Sequence, residues 1–129
     1  MQTGLRRTLA TAALLAVAAC GGGATADAGE VSAEQVLASR ADAAPPLVLD
    51  VRTPEEYASG HVPGAINIPI DQLAARTGEL DAQREVVVYC ERGGRADKAA
   101  GVLTSAGFTD VKTMTGHMSA WRDAGLPTE

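Results

Sequence analysis

The chain has 129 residues, of which 46% are hydrophobic, and it carries a formal net charge of −5. That length accommodates one domain, and the sequence contains no internal repeat that would indicate a second. Because acidic residues outnumber basic ones, no basic stripe is available for nucleic acid, and we expect no nucleic-acid partner.

The first 19 residues are typical of a secretion signal. Two arginines precede an apolar run over residues 9–19 that is too short to span a bilayer. The run ends in Val-Ala-Ala-Cys, which resembles a bacterial lipobox, a motif whose cysteine is acylated and becomes the new N-terminus. We therefore predict a lipoprotein signal peptide over residues 1–19 and a lipid anchor on Cys20. Ordinary signal cleavage, either at Val-Ala-Ala or near residues 25–26, is the alternative.

Residues 20–29 predict a flexible linker, because they are small and polar and show no periodicity. A lipid on Cys20 would anchor the chain to the bacterial cell envelope, with the domain in the periplasm or otherwise outside the cytoplasmic membrane. The chain has two cysteines, so lipidation leaves Cys90 as the only thiol. One thiol cannot form an internal disulfide, which favours a reactive role for Cys90.

Residues 30–129 are expected to form one domain. It begins with a brief extended segment and a short helix over residues 31–38. Ser32 and Gln35 have the spacing of a capping box at the start of that helix. A strand over residues 47–51 follows after a loop.

The segment after this strand predicts a helix that begins at Thr53. Threonine is a favoured N-cap, the proline after it suits the first helical position, and the glutamate three residues on completes a capping box. Gly60 is suited to end that helix. A turn then leads to a strand over residues 65–68 and a short helix over residues 71–75.

The reactive site is predicted at residues 85–95, which read EVVVYCERGGR. Three consecutive valines indicate a strand that is buried on both faces of a parallel sheet. Cys90 follows at the carboxyl end of this strand, then come Gly93 and Gly94, and then apolar positions with helical spacing over residues 96–106. A strand, a glycine loop and a helix N-terminus in that order form a cradle for an anion, where a cysteine ionises easily. An inert buried cysteine is the alternative, but it requires neither the glycines nor the flanking arginines.

The rest of the chain predicts one more strand and one more helix, over residues 111–114 and 119–123, after a helix C-cap at Gly107. Aromatic residues are few, so Trp121 is expected to be a packing anchor. Strands that alternate with helices give an α/β fold, with a parallel sheet and helices on both faces.

Three segments of the chain carry motifs that belong together. They are LVLDVRTPEEYASGHVPGAINIPID at residues 47–71, CERGGR at residues 90–95 and GHMSAWRDAGLP at residues 116–127. With them the chain resembles a single-domain rhodanese, a member of a sulfurtransferase family, over about residues 30–129. The resemblance implies an open α/β sheet of about five mainly parallel strands with helices on both faces.

The resemblance also implies the roles of individual residues. Cys90 would carry sulfur as a persulfide, without a cofactor. Asp50 and Arg52 would pair near the floor of the active site and support the loop. The loop residues that would bind an anionic substrate are Glu91, Arg92, Gly93, Gly94 and Arg95. Independently of the resemblance, two histidines and one free thiol do not suffice for a zinc site, so no metal is expected.

The chain departs from the family pattern at two positions. Ala96 stands where many members have serine, so backbone amides would hold the sulfur without help from a hydroxyl. His117 stands where many members have a second glycine. We expect His117 to be an exposed cap residue, with a position near the mouth of the active site as the alternative.

We therefore expect an enzyme of the thiosulfate sulfurtransferase type. It would take sulfane sulfur from a small anionic donor such as thiosulfate, pass it to cyanide, a thiol or a protein acceptor, and act as a monomer. One alternative is a sulfur carrier or interaction domain that serves a partner in the envelope. Another is an enzyme like the phosphatases or arsenate reductases. Those enzymes place five residues between cysteine and arginine, whereas Cys90 and Arg95 are separated by four.

Overall fold

A computed structural model describes residues 29–129 of the chain. The predicted signal peptide, Cys20 and all of the predicted linker except its last residue lie outside the described residues. Gly29, that last residue, belongs to the first strand and lies opposite Lys112. Regular structure therefore begins one residue before the predicted start of the domain.

Within residues 29–129, five strands form one sheet in which every pairing is parallel. Their order across the sheet is β1-β5-β4-β2-β3, so β4 lies in the centre. All four residues of β4 are buried, as the valine run predicts for a strand that is covered on both faces. The strands are β1 (Gly29–Val31), β2 (Leu47–Asp50), β3 (Ile66–Asn67), β4 (Val86–Tyr89) and β5 (Val111–Met114).

The helices of the described region are α1 (Ala33–Ser39), α2 (Pro54–Ala58), α3 (Ile70–Arg76), α4 (Gly94–Ser105) and α5 (His117–Asp123), with a 3₁₀ turn at Thr77–Glu79. Both predicted capping boxes are present. Ser32 and Gln35 cap α1 reciprocally, and Thr53 and Glu56 do the same for α2. None of these helices is long and apolar enough to cross a membrane.

The helices cover both faces of the sheet. Successive side chains of a strand point to opposite faces, so each strand contributes to two separate clusters. On one face, Leu49 of β2 packs in a cluster with Leu103 of α4. On the other face, Val48 of β2 packs in a second cluster with Trp121 of α5, which is completely buried. The predicted α/β fold is thereby confirmed.

Helices α4 and α5 each begin two residues earlier than the sequence pattern predicts. Gly93 precedes α4 with a φ of 136°, and Gly116 precedes α5 with a φ of 71°. Both values lie in the region that favours glycine, so the chain turns sharply and enters the helix at once. As a result, the first turns of both helices lie at the carboxyl ends of β4 and β5, beside Cys90.

Candidate active site

Cys90 lies immediately after β4 and is only 2% exposed. The chain turns through residues 91–93 into α4, and the backbone N–H groups of this turn face the sulfur. The Gly93 N–H donates to Sγ at 3.0 Å, and the N–H groups of Arg92 and Ala96 also favour the ionised sulfur. The 12-residue helix α4 points its N-terminus at the thiol, where the helix dipole favours negative charge.

The surroundings of Cys90 act on the pKa of its thiol in opposite directions. Burial raises the pKa, whereas the His117 side chain and the backbone N–H groups of Ala96, Gly93 and Arg92 lower it. The donors outweigh the burial, and the pKa falls from 9.0 to about 7. Near pH 7 about half of the thiol is therefore ionised, compared with a few per cent of an ordinary cysteine.

His117 is buried, with 8% of its surface exposed, and lies against Cys90. Its Nδ1 accepts a hydrogen bond from the Cys90 N–H at 3.2 Å. The expectation of an exposed cap residue is wrong, because the left-handed turn at Gly116 directs the imidazole inward, to the end of β4. His117 itself has a φ of 55°, a conformation that residues other than glycine rarely adopt.

Helix α5 also holds the loop through its backbone. The Met118 N–H donates to the Cys90 carbonyl at 3.0 Å, and the Ser119 N–H donates to the Glu91 carbonyl at 3.1 Å. The N–H groups in the first turn of a helix have no partner within their own helix, so these bonds satisfy them. The backbone of the nucleophile is thus fixed between α4 and α5.

Asp50 and Arg52 form a buried ion pair next to this loop. Their side chains are 0% and 1% exposed, and Arg52 Nη2 lies 2.7 Å from Asp50 Oδ2. The same guanidinium nitrogen donates to the Gly60 carbonyl at 2.8 Å. The Tyr89 hydroxyl donates to Asp50 Oδ2 at 2.8 Å, and burial raises the pKa of Tyr89, which keeps this hydroxyl protonated. The pair implied by the resemblance is present, and it connects β2, β4 and the end of α2.

Glu91 connects this ion pair to α5. Its carboxylate lies 3.4 Å from Arg52 Nη1 and also forms an ion pair with Arg122. The Glu91 side chain is therefore engaged in ion pairs with two arginines beside the loop.

Arg95 is paired with Glu56 and does not present a free charge. Its Nη1 and Nη2 lie 2.6 and 3.0 Å from the two Glu56 carboxylate oxygens. This hydrogen bond is the main reason why the pKa of Glu56 is lowered to about 2. Because Glu56 also completes the capping box of α2, one carboxylate joins the end of the loop to that helix.

The remaining loop residues lie at the outer side of the site. Arg92 is exposed, and within residues 29–129 its side chain forms no ion pair or hydrogen bond. Gly93 permits the close approach of His117, since a Cβ atom on Gly93 would lie 3.2 Å from Nε2. Gly94 begins α4. The structure thus brings all five predicted loop residues around Cys90 and leaves Arg92 as the free cation among them.

Sequence reasoning missed the part that four side chains play in this site. Each of them contacts a site residue that is between 27 and 39 positions away. The one available signal was the histidine at position 117, where the family pattern favours glycine. The four side chains are those of Glu56, Tyr89, His117 and Arg122.

Among residues 29–129, no three His, Cys, Asp or Glu side chains are grouped in a way that could hold a metal ion.

Known proteins share this fold and sequence pattern. The profile of the rhodanese-like domain family matches residues 32–124. The chain is 42% identical to the chloroplastic thiosulfate sulfurtransferase 16 of Arabidopsis thaliana, over 63% of this chain and 78% of that protein. It is 35% identical to a sulfurtransferase of Allochromatium vinosum, over 76% of this chain and 92% of that protein. The crystal structure of a rhodanese-related protein from Thermoplasma volcanium superposes with a TM-score of 0.70 at 28% identity, over 78% of this chain and 97% of that one. The chain therefore belongs to the rhodanese-like family.

Proposed function

We propose that the domain is a sulfurtransferase that carries sulfur as a persulfide on Cys90. The observation that supports this most directly is the buried thiol whose pKa is lowered to about 7. Such a thiol supplies a nucleophilic thiolate near neutral pH. Relatives named thiosulfate sulfurtransferase and sulfurtransferase support the same class of reaction.

In the first step, the Cys90 thiolate attacks the outer sulfur of a donor such as thiosulfate. A bond forms between Sγ and that sulfur, the sulfur–sulfur bond of the donor breaks, and sulfite leaves with the electron pair. Cys90 is left with an outer sulfur that bears one negative charge, so the total charge is unchanged and no proton moves. The N–H groups at the start of α4 stabilise this charge, and Arg92 attracts the dianionic donor to an otherwise acidic protein.

In the second step, a nucleophile removes the outer sulfur and restores the thiolate. Cyanide attacks the outer sulfur, the bond to Sγ breaks, and thiocyanate leaves. A thiolate acceptor reacts in the same way and becomes a persulfide itself. We propose small thiophilic anions, thiols and protein thiols as the class of acceptor.

Intact-mass spectrometry tests this function on the chain in a Cys20→Ser background, which leaves Cys90 as the only thiol. Thiosulfate is expected to add the mass of one sulfur atom, and cyanide is expected to remove it. Cys90→Ser is nearly isosteric, so the variant should fold yet take up no sulfur. A persulfide mass on the serine variant, or none on the parent protein, would contradict the proposal.

The same protein preparation distinguishes the alternatives. Sulfur loading without turnover to cyanide or thiols would indicate a carrier that serves one protein partner. Hydrolysis of an aryl phosphate would indicate phosphatase chemistry, for which the four-residue spacing between Cys90 and Arg95 is one residue short.

We also propose that the chain is exported and anchored to the cell envelope through Cys20. The lipobox-like run supports this, and it lies outside the described residues. The domain would then act on the outer side of the cytoplasmic membrane.

A further inference from the structure

The imidazole of His117 has one nitrogen committed to the backbone of Cys90. A backbone N–H can only donate, so Nδ1, at 3.2 Å, must keep its lone pair. The ring is therefore the neutral tautomer with its proton on Nε2. His117 thus enters the site as a hydrogen-bond donor at Nε2.

This second nitrogen lies beside the donors that surround the sulfur. A Cβ atom on Gly93 would be 3.2 Å from Nε2, and the N–H of the same Gly93 donates to Sγ at 3.0 Å. Burial has the largest effect on the Cys90 thiol and raises its pKa, and the bond from the His117 side chain comes first among the effects that lower it. With Nδ1 occupied by the Cys90 N–H, Nε2 is the ring nitrogen that is left to donate, and it lies beside the residue whose N–H contacts the sulfur.

The backbone conformation of His117 is unusual for a residue that has a side chain. His117 adopts a φ of 55°, which is unfavourable for a residue with a Cβ atom and persists only where the surroundings enforce it. Ala96, whose N–H also contacts the sulfur, has a methyl side chain that cannot donate. Within residues 29–129, His117 supplies the one side chain among the main causes of the lowered pKa of the Cys90 thiol.

We propose that His117 donates its Nε2–H to the sulfur of Cys90 and so adds a side-chain donor to the backbone amides that hold the nucleophile. The sequence predicts that backbone amides act alone, and this proposal adds one side chain to them. This inference rests on the proposed function only where turnover is concerned, because ionisation of the thiol can be measured without any sulfur donor.

Two substitutions separate the two nitrogens of the ring. His117→Asn places an amide oxygen near the position of Nδ1 and keeps an acceptor for the Cys90 N–H, but it leaves nothing at the position of Nε2. Asparagine also tolerates the left-handed backbone. His117→Gln is long enough to place an amide N–H donor at the position of Nε2.

The experiment measures the rate of Cys90 alkylation by iodoacetamide as a function of pH, for the full chain in the Cys20→Ser background. We expect H117N to move the midpoint upward by about one pH unit and to slow alkylation at pH 7 about fivefold. H117Q is expected to restore most of this loss, and kcat/KM for thiosulfate should follow the same order. The other charged groups around the loop are the same in all three proteins, so the midpoint reports on position 117. They are Arg92, Arg95 with Glu56, Arg52 with Asp50, and Glu91 with Arg52 and Arg122.

Equal midpoints for the parent protein and H117N would overturn the inference. Equal losses in H117N and H117Q would also overturn it, because they would indicate that the ring only fills space. If thermal unfolding shows that H117N does not fold, H117G takes its place, since glycine suits the backbone at this position. A shifted midpoint in a protein that thiosulfate does not load would support the role of His117 and reject thiosulfate as the sulfur donor.

Discussion

Arg52 is a charged residue with almost no contact with solvent, and each part of its guanidinium has a partner. The partners are the Asp50 carboxylate, the Glu91 carboxylate and the Gly60 carbonyl. A guanidinium that leaves water without such partners would carry a large desolvation cost. These three groups belong to different segments of the chain. Arg52 therefore links β2, the Cys90 loop and the end of α2.

We predict that Arg52→Met lowers the free energy of unfolding by about 3–5 kcal/mol, because it leaves the Asp50 carboxylate buried without its counterion. Urea unfolding followed by circular dichroism measures the change. Arg76→Met is the matched control, since it breaks the exposed pair of Arg76 with Glu79 and should have no measurable effect. A stability of Arg52→Met equal to that of the parent protein would show that the buried pair does not support the fold.

At the scale of elements, α2 shows which features can be read from the sequence. Its capping box lies within four consecutive residues, so the residue types and their spacing were sufficient to predict it. The second role of Glu56, as the partner of Arg95, joins residues that are 39 positions apart. Local spacing contains no information about that contact, which exists only because β2 and β4 are neighbours in the sheet.

The ion pair of Glu56 with Arg95 is expected to make stability depend on pH. The pKa of Glu56 is lowered from 4.5 to about 2 by the hydrogen bond from Arg95. A lowered pKa means that the stabilisation is complete above about pH 4.5 and is lost as the pH falls toward about 2. The Glu56 side chain is 31% exposed, and solvent screening reduces the contribution to about 1 kcal/mol.

Glu56→Gln tests this prediction, because glutamine also completes a capping box but carries no charge. We expect the variant to be less stable than the parent at pH 7 by about 1 kcal/mol and equal to it near pH 2. Urea unfolding at several pH values between 2 and 7 provides the comparison. Thr53→Ala is the control that removes the cap and keeps the ion pair, so its deficit should not vanish at low pH. A deficit of Glu56→Gln that is independent of pH would count against the ion pair.

The order of the elements and the position of Cys90 could be predicted, because the valine run, the two glycines and the helical spacing are all local signals. The start of α5 could not be predicted in this way. Gly116 and His117 form a pair of left-handed residues that moves the start of the helix and turns the imidazole inward. A sequence pattern does not distinguish that arrangement from an ordinary exposed cap.

At the scale of the whole molecule, we predict that Cys20 decides where the protein is found. Cys20→Ser should move the protein from the membrane fraction to the soluble fraction of cells, because two or three acyl chains are sufficient for stable anchoring. Fractionation and intact-mass analysis of the native protein provide the measurement. Sulfur loading of the purified variant should be unchanged, since Cys20 lies outside the described domain. A native protein that is wholly soluble and carries no acyl mass would show that the lipobox-like run is not used.

The long sequence separations within the site have a consequence for the maturation of the protein. His117, which lowers the pKa of the Cys90 thiol, is 27 positions away in α5, and the bonds of Tyr89 and Arg95 beside the loop reach residues 39 positions away in β2 and α2. In a newly made, unfolded chain these partners are dispersed, and only a few per cent of the thiol is ionised near pH 7, as in any ordinary cysteine. We therefore expect Cys90 to be alkylated and oxidised more slowly near pH 7 in the immature chain than a thiol that is half ionised, and to gain its thiolate character only when the sheet is complete.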